Sequence, residues 1–420
     1  MIVPLLLLLL ALLGAPLFAI IAASALHGFH AAGIDLSVVV LEINRITDTP
    51  LLVAIPLFTF AGYLMGESNT PQRLLRLSRA GLGWMPGGLA VVTMTVCAVF
   101  TALTGASGVT IIALGSLLLP ALREDGYPEN FTLGAITTSG SLGLLFPPAI
   151  PLILYGIIAQ TSIDKLFAAG VMPGLLMVAL LSGWGVFTAR RVKIPLVKFN
   201  LGEFGGAIKN AAWELPLPVI VLGGIYSGML AISEAAAVTA FYVLIVEVFI
   251  YREVPLRQLP TVMVKSMTLV GGILIILGAS LASTNYLIDQ EVPMKLFAFV
   301  KAHISSKLTF LILLNVFLLM LGMILDVFSA IVLIVPLILP VAISYGIDPT
   351  HLGIIILANM QIGYCTPPVG MNLFIASYRF KEPVVKLYLA SLPFLAILFA
   401  VVLLITYWPG LSLFLAGFVG

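Results

Sequence analysis

Charge is what this chain has least of. Asp, Glu, Lys and Arg make up 9% of its 420 residues, against roughly a quarter in soluble domains. That scarcity excludes nucleic-acid binding and intrinsic disorder, both of which need dense charge. With 61% hydrophobic residues and a mean hydropathy of +1.18, it excludes a soluble globular enzyme as well. The two cysteines, Cys97 and Cys365, have neither metal-ligand nor disulfide spacing. Four histidines, and no nucleophile paired with a base, argue against an intramembrane enzyme. There is no Gly-rich loop ending in Lys to bind a nucleotide. What the chain has in abundance is apolar runs of about 20 residues, the mark of a polytopic α-helical membrane protein; a barrel would show short alternating segments.

The apolar segments are roughly 2–25, 50–68, 87–122, 131–159, 167–189, 214–232, 233–250, 264–288, 308–343, 351–378 and 384–407. The first has no Lys or Arg before it and is too long for a signal core, so it reads as a span. The runs 87–122 and 308–343 are too long for one crossing. They break at Thr104-Gly105-Ala106-Ser107-Gly108 and around Leu325-Asp326, and each is either two spans or a re-entrant hairpin. Two other segments carry mid-membrane prolines, Phe146-Pro147-Pro148 and Thr366-Pro367-Pro368. Proline removes an N–H and clashes with the carbonyl four residues back, so each pair predicts an unwound helix. Such backbone is tolerated at that depth only inside protein or beside a polar cavity.

Treating the long runs as hairpins, with the N-terminus cytoplasmic, puts 15 of the 20 Lys and Arg residues in inner loops. Only Arg45, Lys165, Lys295, Lys301 and Lys307 fall outside. That asymmetry gives nine crossings, with the C-terminus outside. Segments 32–47 and 289–307 read as interfacial arms on the outer face, and 69–85 and 198–213 on the inner. Glu214 and Glu247 lie near span ends and are expected to face the interface. Glu234 reads as a carboxylate at a helix start.

The halves match at a fixed offset. Pro147-Pro148 recurs as Pro367-Pro368 and Gly143 as Gly363, 220 residues on; Leu118-Leu119-Pro120 matches Ile338-Leu339-Pro340. Gly126 with Pro128 matches Gly346 with Pro349, one residue longer. With the hairpins opening to opposite sides, the repeats are inverted. Inverted repeats with paired broken helices point to a secondary transporter with its site at the midplane.

Three stretches carry a family resemblance: Leu103–Thr110 with Gly126-Tyr127 and Gly143–Pro151; Gly170-Val171-Met172-Pro173-Gly174; and Asn359–Phe374, which includes Gly363-Tyr364-Cys365-Thr366-Pro367-Pro368-Val369-Gly370-Met371-Asn372. Over nearly its whole length the chain resembles the large, DctM-type membrane subunit of tripartite ATP-independent periplasmic (TRAP) transporters. Ala106 departs from the usual second hydroxyl or Gly at the first tip. The resemblance implies an elevator-type, sodium-coupled importer of organic anions (dicarboxylates, keto acids or sialic acids) in a bacterial inner membrane. It also implies two partners, a small four-helix membrane subunit and a periplasmic substrate-binding protein. The implied fold is all-α, with two re-entrant helical hairpins and two discontinuous helices in inverted repeats. Residues 87–159 and 308–378 form the transport domain; 1–86, 160–307 and 379–420 form the scaffold and arms.

Half-helix C-termini and unwound carbonyls suit a dehydrated cation. Two Na⁺ sites are expected. One joins Thr104, Gly105 and Ser107 at the first tip to Ser141, Gly143 and Phe146 at the first break. The other joins Gly322 and Asp326 to Gly363, Thr366 and Gly370. Asp326 could cap the following helix, ligate the cation or carry a proton. With no Lys or Arg in the expected centre, the anion falls to half-helix N-termini, to bound cations and to Thr110, Pro147, Pro367, Asn359 and Asn372. A carrier needing no binding protein, possibly driven by protons, is the competing reading; a scaffold without a transport path leaves the repeated breaks unexplained.

Overall fold

The computed structural model describes residues 2–13, 15–45, 49–194 and 199–419. Residues 1, 14, 46–48, 195–198 and 420, which fall in the expected segments 1–86, 160–307 and 379–420, lie outside it; Lys198, one of the inner-loop charges, is among them. Every regular element among the described residues is a helix; none is a strand.

The first apolar segment is two helices, α1 (Ile2–Leu12) and α2 (Leu17–Ala31), rather than the single span expected. Pro16 starts the second, and a residue before proline is held out of the helical region. Helices α3 (Ser37–Arg45), α4 (Ala54–Glu67) and α5 (Thr70–Leu82) follow. Only Gly105 and Ala106 separate α6 (Gly88–Thr104) from α7 (Ser107–Glu124). Gly105 turns the chain at φ +68°, where a side chain would also strike Ile150. Next come α8 (Glu129–Ser139), a tight turn over Leu142–Leu145, and α9 (Ile150–Ala159), bent by 43° across the break at Pro147-Pro148.

The long α10 (Ile163–Val192) leads to α11 (Leu201–Asn210), α12 (Pro216–Tyr226) and α13 (Ile232–Leu244), which runs on through a wide turn over Ile245–Ile250. Then α14 (Leu259–Asp289), α15 (Val292–His303), α16 (Lys307–Gly322) and α17 (Val327–Ser344) precede α18 (Pro349–Gly363) and α19 (Met371–Phe380). Helices α20 (Val384–Tyr407) and α21 (Gly410–Ala416) close the chain. Among the described residues, seven helices are long and apolar enough to cross a membrane, or eight with the bent pair. The expected crossing over 214–232 is not one of them. At 11 residues α12 is about 16 Å long, half the hydrocarbon thickness.

The repeat extends well beyond the prolines. The 220-residue offset carries α4 onto the second half of α14, α5 onto α15, α6 to α9 onto α16 to α19, and α10 onto α20. Gly126 and Gly346 both take positive φ, +91° and +68°. A close contact is duplicated as well. A methyl group at Gly143 would stand 2.3 Å from the Ala102 nitrogen, and one at Gly363 2.5 Å from the Cα of Gly322, the counterpart of Ala102. In both halves the broken helix touches backbone to backbone near the end of the helix before the break in the long apolar run, α6 or α16.

Packing falls into two groups. Helix α4 packs on α13 and α14, and α14 on α2 and α3. The other group interleaves the halves: α7 lies on α19 and α9 on α17, while α16 packs on α18. Helix α10 packs along α6, α18 and the 142–145 turn, and α20 along α8 and α18, so both lie against the broken elements rather than the α4–α13–α14 group. Helix α5 bridges the groups. Its partly buried Arg73 binds Glu214, Glu247 (3.2 Å) and Glu253 (2.5 Å), 3.9 Å above the Tyr251 ring. Glu214 and Glu247 are therefore buried partners of an arginine, not interfacial charges as expected; burial without Arg73 would be costly for either. Glu234 accepts the Ala231 N–H at 2.8 Å, the helix-start role read from the sequence.

Gly363→Ala is expected to force α18 off α16 and to cost about 1–3 kcal/mol, read as a lower thermal midpoint in detergent. Gly272→Ala, on α14 with nothing within 4 Å, should leave the midpoint unchanged or slightly higher. Equal midpoints for the two variants would contradict the contact.

Candidate transport site

The first tip is held by hydroxyls. The Thr101 and Thr110 oxygens are 2.6 Å apart, and Thr101 donates to the Gly140 carbonyl at 2.8 Å. Thr101 therefore ties both helices of the pair to the end of α8. Thr104, one turn on and wholly buried, has no partner for its Oγ1. It stands at the C-terminus of α6, where carbonyls lack helical partners. A buried oxygen without a proton donor, beside the carbonyl end of a half-helix, suits a hard cation.

At the first break, Ser141 donates to the carbonyls of Thr138 at 3.2 Å and Gln361 at 3.3 Å. Gly143 fits against α6 because it lacks a side chain. Phe146 lays its ring over Gly174. With Pro147, Pro148, Ala102, Leu175 and Val221, it lines an apolar cavity of about 280 Å³. Pro147 thus faces an apolar space, not the polar network at the tips.

The second tip is built differently. Asp326 caps α17: one carboxylate oxygen accepts the N–H groups of Phe328 and Ser329 at 3.0 Å each, and the other accepts the Ser329 hydroxyl. Of the roles left open for Asp326, the geometry shows capping. The tip docks on the second break through Gly370 N–H to the Met323 carbonyl (3.1 Å) and Val327 N–H to the Tyr364 hydroxyl (2.5 Å). Gly370 takes φ +59°. Thr366 donates to the Ile362 carbonyl at 2.8 Å, leaving its lone pairs uncommitted; Pro367 beside it is half-buried.

The halves also meet each other. Asn372, at the start of α19, accepts the Ser107 hydroxyl at 2.8 Å and donates to the Thr137 carbonyl at 3.4 Å. The first tip therefore touches both breaks, not only its own. Ser107, Thr110, Ser141 and Asn372 are gathered into this one region. Asn359 points elsewhere: it donates to Asn315 (2.7 Å) and the Ile355 carbonyl (2.8 Å), and Thr406 joins the same Asn315 oxygen. Sequence reasoning missed Thr101, Tyr364 and Gln361. Thr101 lies three residues before Thr104 on one helical face, the only signal available for it. Among the described residues no group of three His, Cys, Asp or Glu side chains is placed to hold a metal.

Residues 3–411 match the family described as tripartite ATP-independent periplasmic transporter, DctM component. The chain belongs to this family. It is a transporter permease subunit, not an enzyme. It is 37% identical over 372 residues to the isethionate TRAP transporter permease protein DctMQ of Oleidesulfovibrio alaskensis, covering 88% of this chain and 59% of that one. It is also 37% identical over 370 residues to the C4-dicarboxylate TRAP transporter large permease protein DctM of Pseudomonas aeruginosa, covering 88% and 87%. Its fold is similar to the crystal structure of the Alcanivorax borkumensis YdaH transporter, with TM-score 0.58 at 15% identity over 86% of this chain and 85% of that one.

Asp326→Ala is expected to destabilise the permease by about 1–2 kcal/mol, the loss of a helix cap. Asp326→Asn keeps an acceptor for both N–H groups and should cost less. Thermal melts of the two variants decide it; if Asn is the more damaging, the position supplies charge rather than a cap.

Proposed function

We propose that this permease is the large subunit of a sodium-coupled importer of small organic anions. It would work in a bacterial inner membrane with a small four-helix subunit, and receive its substrate from a periplasmic binding protein. The observation that carries the reading is the duplicated tip-on-break contact, with the orphan Thr104 oxygen beside it. Neutral hydroxyls and carbonyls at such a contact favour Na⁺, which takes oxygen ligands without proton chemistry. Carboxylates and sulfonates, the anions in the names of the two similar permeases, are the substrate class.

In this reading the two helix pairs are re-entrant hairpins and the repeats are inverted, with the N-terminus cytoplasmic and the C-terminus periplasmic. Transport is an elevator movement. A cation bound between a tip and its break would lose ligands if the two parted, a cost of several kcal/mol for a desolvated ion. Carrying the site across whole avoids that cost, and two equivalent repeats supply two equivalent end states. The packing of α10 and α20 along α6, α8 and α18 supports counting them in the moving body with α6–α9 and α16–α19. The sequence reading counted 167–189 and 384–407 with the scaffold. Helices α2–α4 and α12–α14 form the frame, and α5 and α15 are the arms between them.

Proteoliposomes holding both membrane subunits, supplied with the binding protein, should take up labelled succinate or isethionate only under an inward sodium gradient. Equal uptake under a proton gradient without Na⁺ would overturn the coupling; preference for a zwitterion such as betaine would overturn the substrate class. Replacing Pro147-Pro148 or Pro367-Pro368 with Ala-Ala should reduce sodium-dependent uptake at least tenfold, because restored helical bonding withdraws carbonyls from the cation. Normal uptake by both double variants would remove the breaks from the ion sites.

A further inference from the structure

Gln361 lies on α18, two residues before Gly363. It is wholly buried, yet neither end of its carboxamide has a hydrogen-bond partner. A buried amide left unpaired at both ends is costly, and native structures rarely keep one without a use. Its position in the repeat is equally distinctive. The Gln361 carbonyl accepts from Ser141, which stands 220 residues earlier, at the offset of the repeat itself. Two residues related by a two-fold rotation touch only where the axis passes between them. Gln361 therefore sits on the axis relating the halves, in the layer between the two breaks. With the repeats inverted, that axis lies in the membrane plane.

An anion at the axis has few partners. In α6–α9 and α16–α19 the Lys and Arg residues stand only at helix ends: Arg123, Lys307 and Arg379. Four buried carboxamides lie in the same elements. Asn315 donates to the Leu311 carbonyl, Asn359 to Asn315 and Ile355, and Asn372 to Thr137. Gln361 alone keeps its N–H groups unused. Its side-chain oxygen is also free, but the tips and breaks already offer carbonyls and hydroxyls to a cation. The scarce chemistry at the centre is the hydrogen-bond donor.

We propose that the Gln361 carboxamide is a substrate-binding group whose Nε2 hydrogens hold a carboxylate or sulfonate oxygen of the transported anion on the repeat axis. The amide is covered in the present arrangement, so the anion must reach it in a different one, with the tip-on-break contacts kept. The inference rests on the anion-importer reading above and adds to it the residue that recognises the anionic group.

Gln361→Met keeps the shape of the side chain and removes both polar ends. If the amide waits for a ligand, the variant without ligand should melt at or above the wild-type temperature, since an unmet polar group has been replaced by an apolar one. In the reconstituted three-component system, its half-saturation concentration for the anion that the wild type transports, succinate or isethionate, should rise about tenfold or more, the loss of a hydrogen bond to a charged group. The sodium half-saturation should stay within about twofold. Gln361→Glu, which keeps the oxygen but repels the anion, should abolish uptake. A ligand-free melting temperature several degrees below wild type would make Gln361 a structural partner and overturn the proposal. So would an unchanged anion half-saturation, or a shift confined to sodium. Should the wild type move neither anion, the importer reading fails by itself, and a lower ligand-free melt of Gln361→Met would still reject the binding role.

Discussion

Backbone hydrogen bonding inside a membrane is the constraint on which the rest of this structure depends. A helix that stays intact satisfies its own N–H and carbonyl groups; one broken at Pro147-Pro148 or Pro367-Pro368 does not. This permease meets the deficit with protein. Thr101 reaches the Gly140 carbonyl, Ser141 those of Thr138 and Gln361, and Gly370 and Val327 bind across to Met323 and Tyr364. Each break is thus supported by the turn between the helices beside it, α6–α7 for the first and α16–α17 for the second. The glycines at those contacts follow from the same need, because a side chain at Gly143 or Gly363 would hold the partner away.

Duplication makes this arrangement mutual. Ser107 of the first tip binds Asn372 of the second break, and α7 and α9 each pack on a helix of the other half. Neither half can build its site alone. The elements that satisfy one another pack together, and α10 and α20 lie along them; the proposed motion would carry all of them as one body. The frame meets these elements where Gly62 of α4 lies against the Thr104 backbone, where Ser280 of α14 donates to the Val332 carbonyl, and across the apolar cavity between α10 and α12. The arm α5 is fixed to the frame side by Arg73 and three carboxylates.

Much of this was legible in the sequence. Paired prolines, the 220-residue offset and the glycine-rich tip are local chemistry, and they led to the family, the breaks and most of the polar network. What was not legible depended on partners far away in the chain. Hydropathy measures the length of an apolar run, not where it folds back, so 214–232 read as a crossing although α12 is short. Glu214 and Glu247 read as interfacial because nothing near them in sequence announces Arg73. The packing of α10 and α20 along the broken elements was hidden for the same reason: both are ordinary apolar helices with no local mark of what they touch. Gln361 was hidden among the motif residues around it, although its register with Ser141 was already present in the numbering.

The central claim is that tips and breaks move together against the frame. Paired spin labels test it most directly. One pair joins Val178 on α10 to Leu222 on α12, across the apolar cavity; the other joins Asn130 on α8 to Leu389 on α20, within the packed body. Changing from sodium-free conditions to sodium with transported anion should shift the first distance by about a helical turn, roughly 5 Å, or more, and leave the second unchanged. A constant α10–α12 distance with a changing α8–α20 distance would contradict the account, because the packed body would then be opening in place rather than moving.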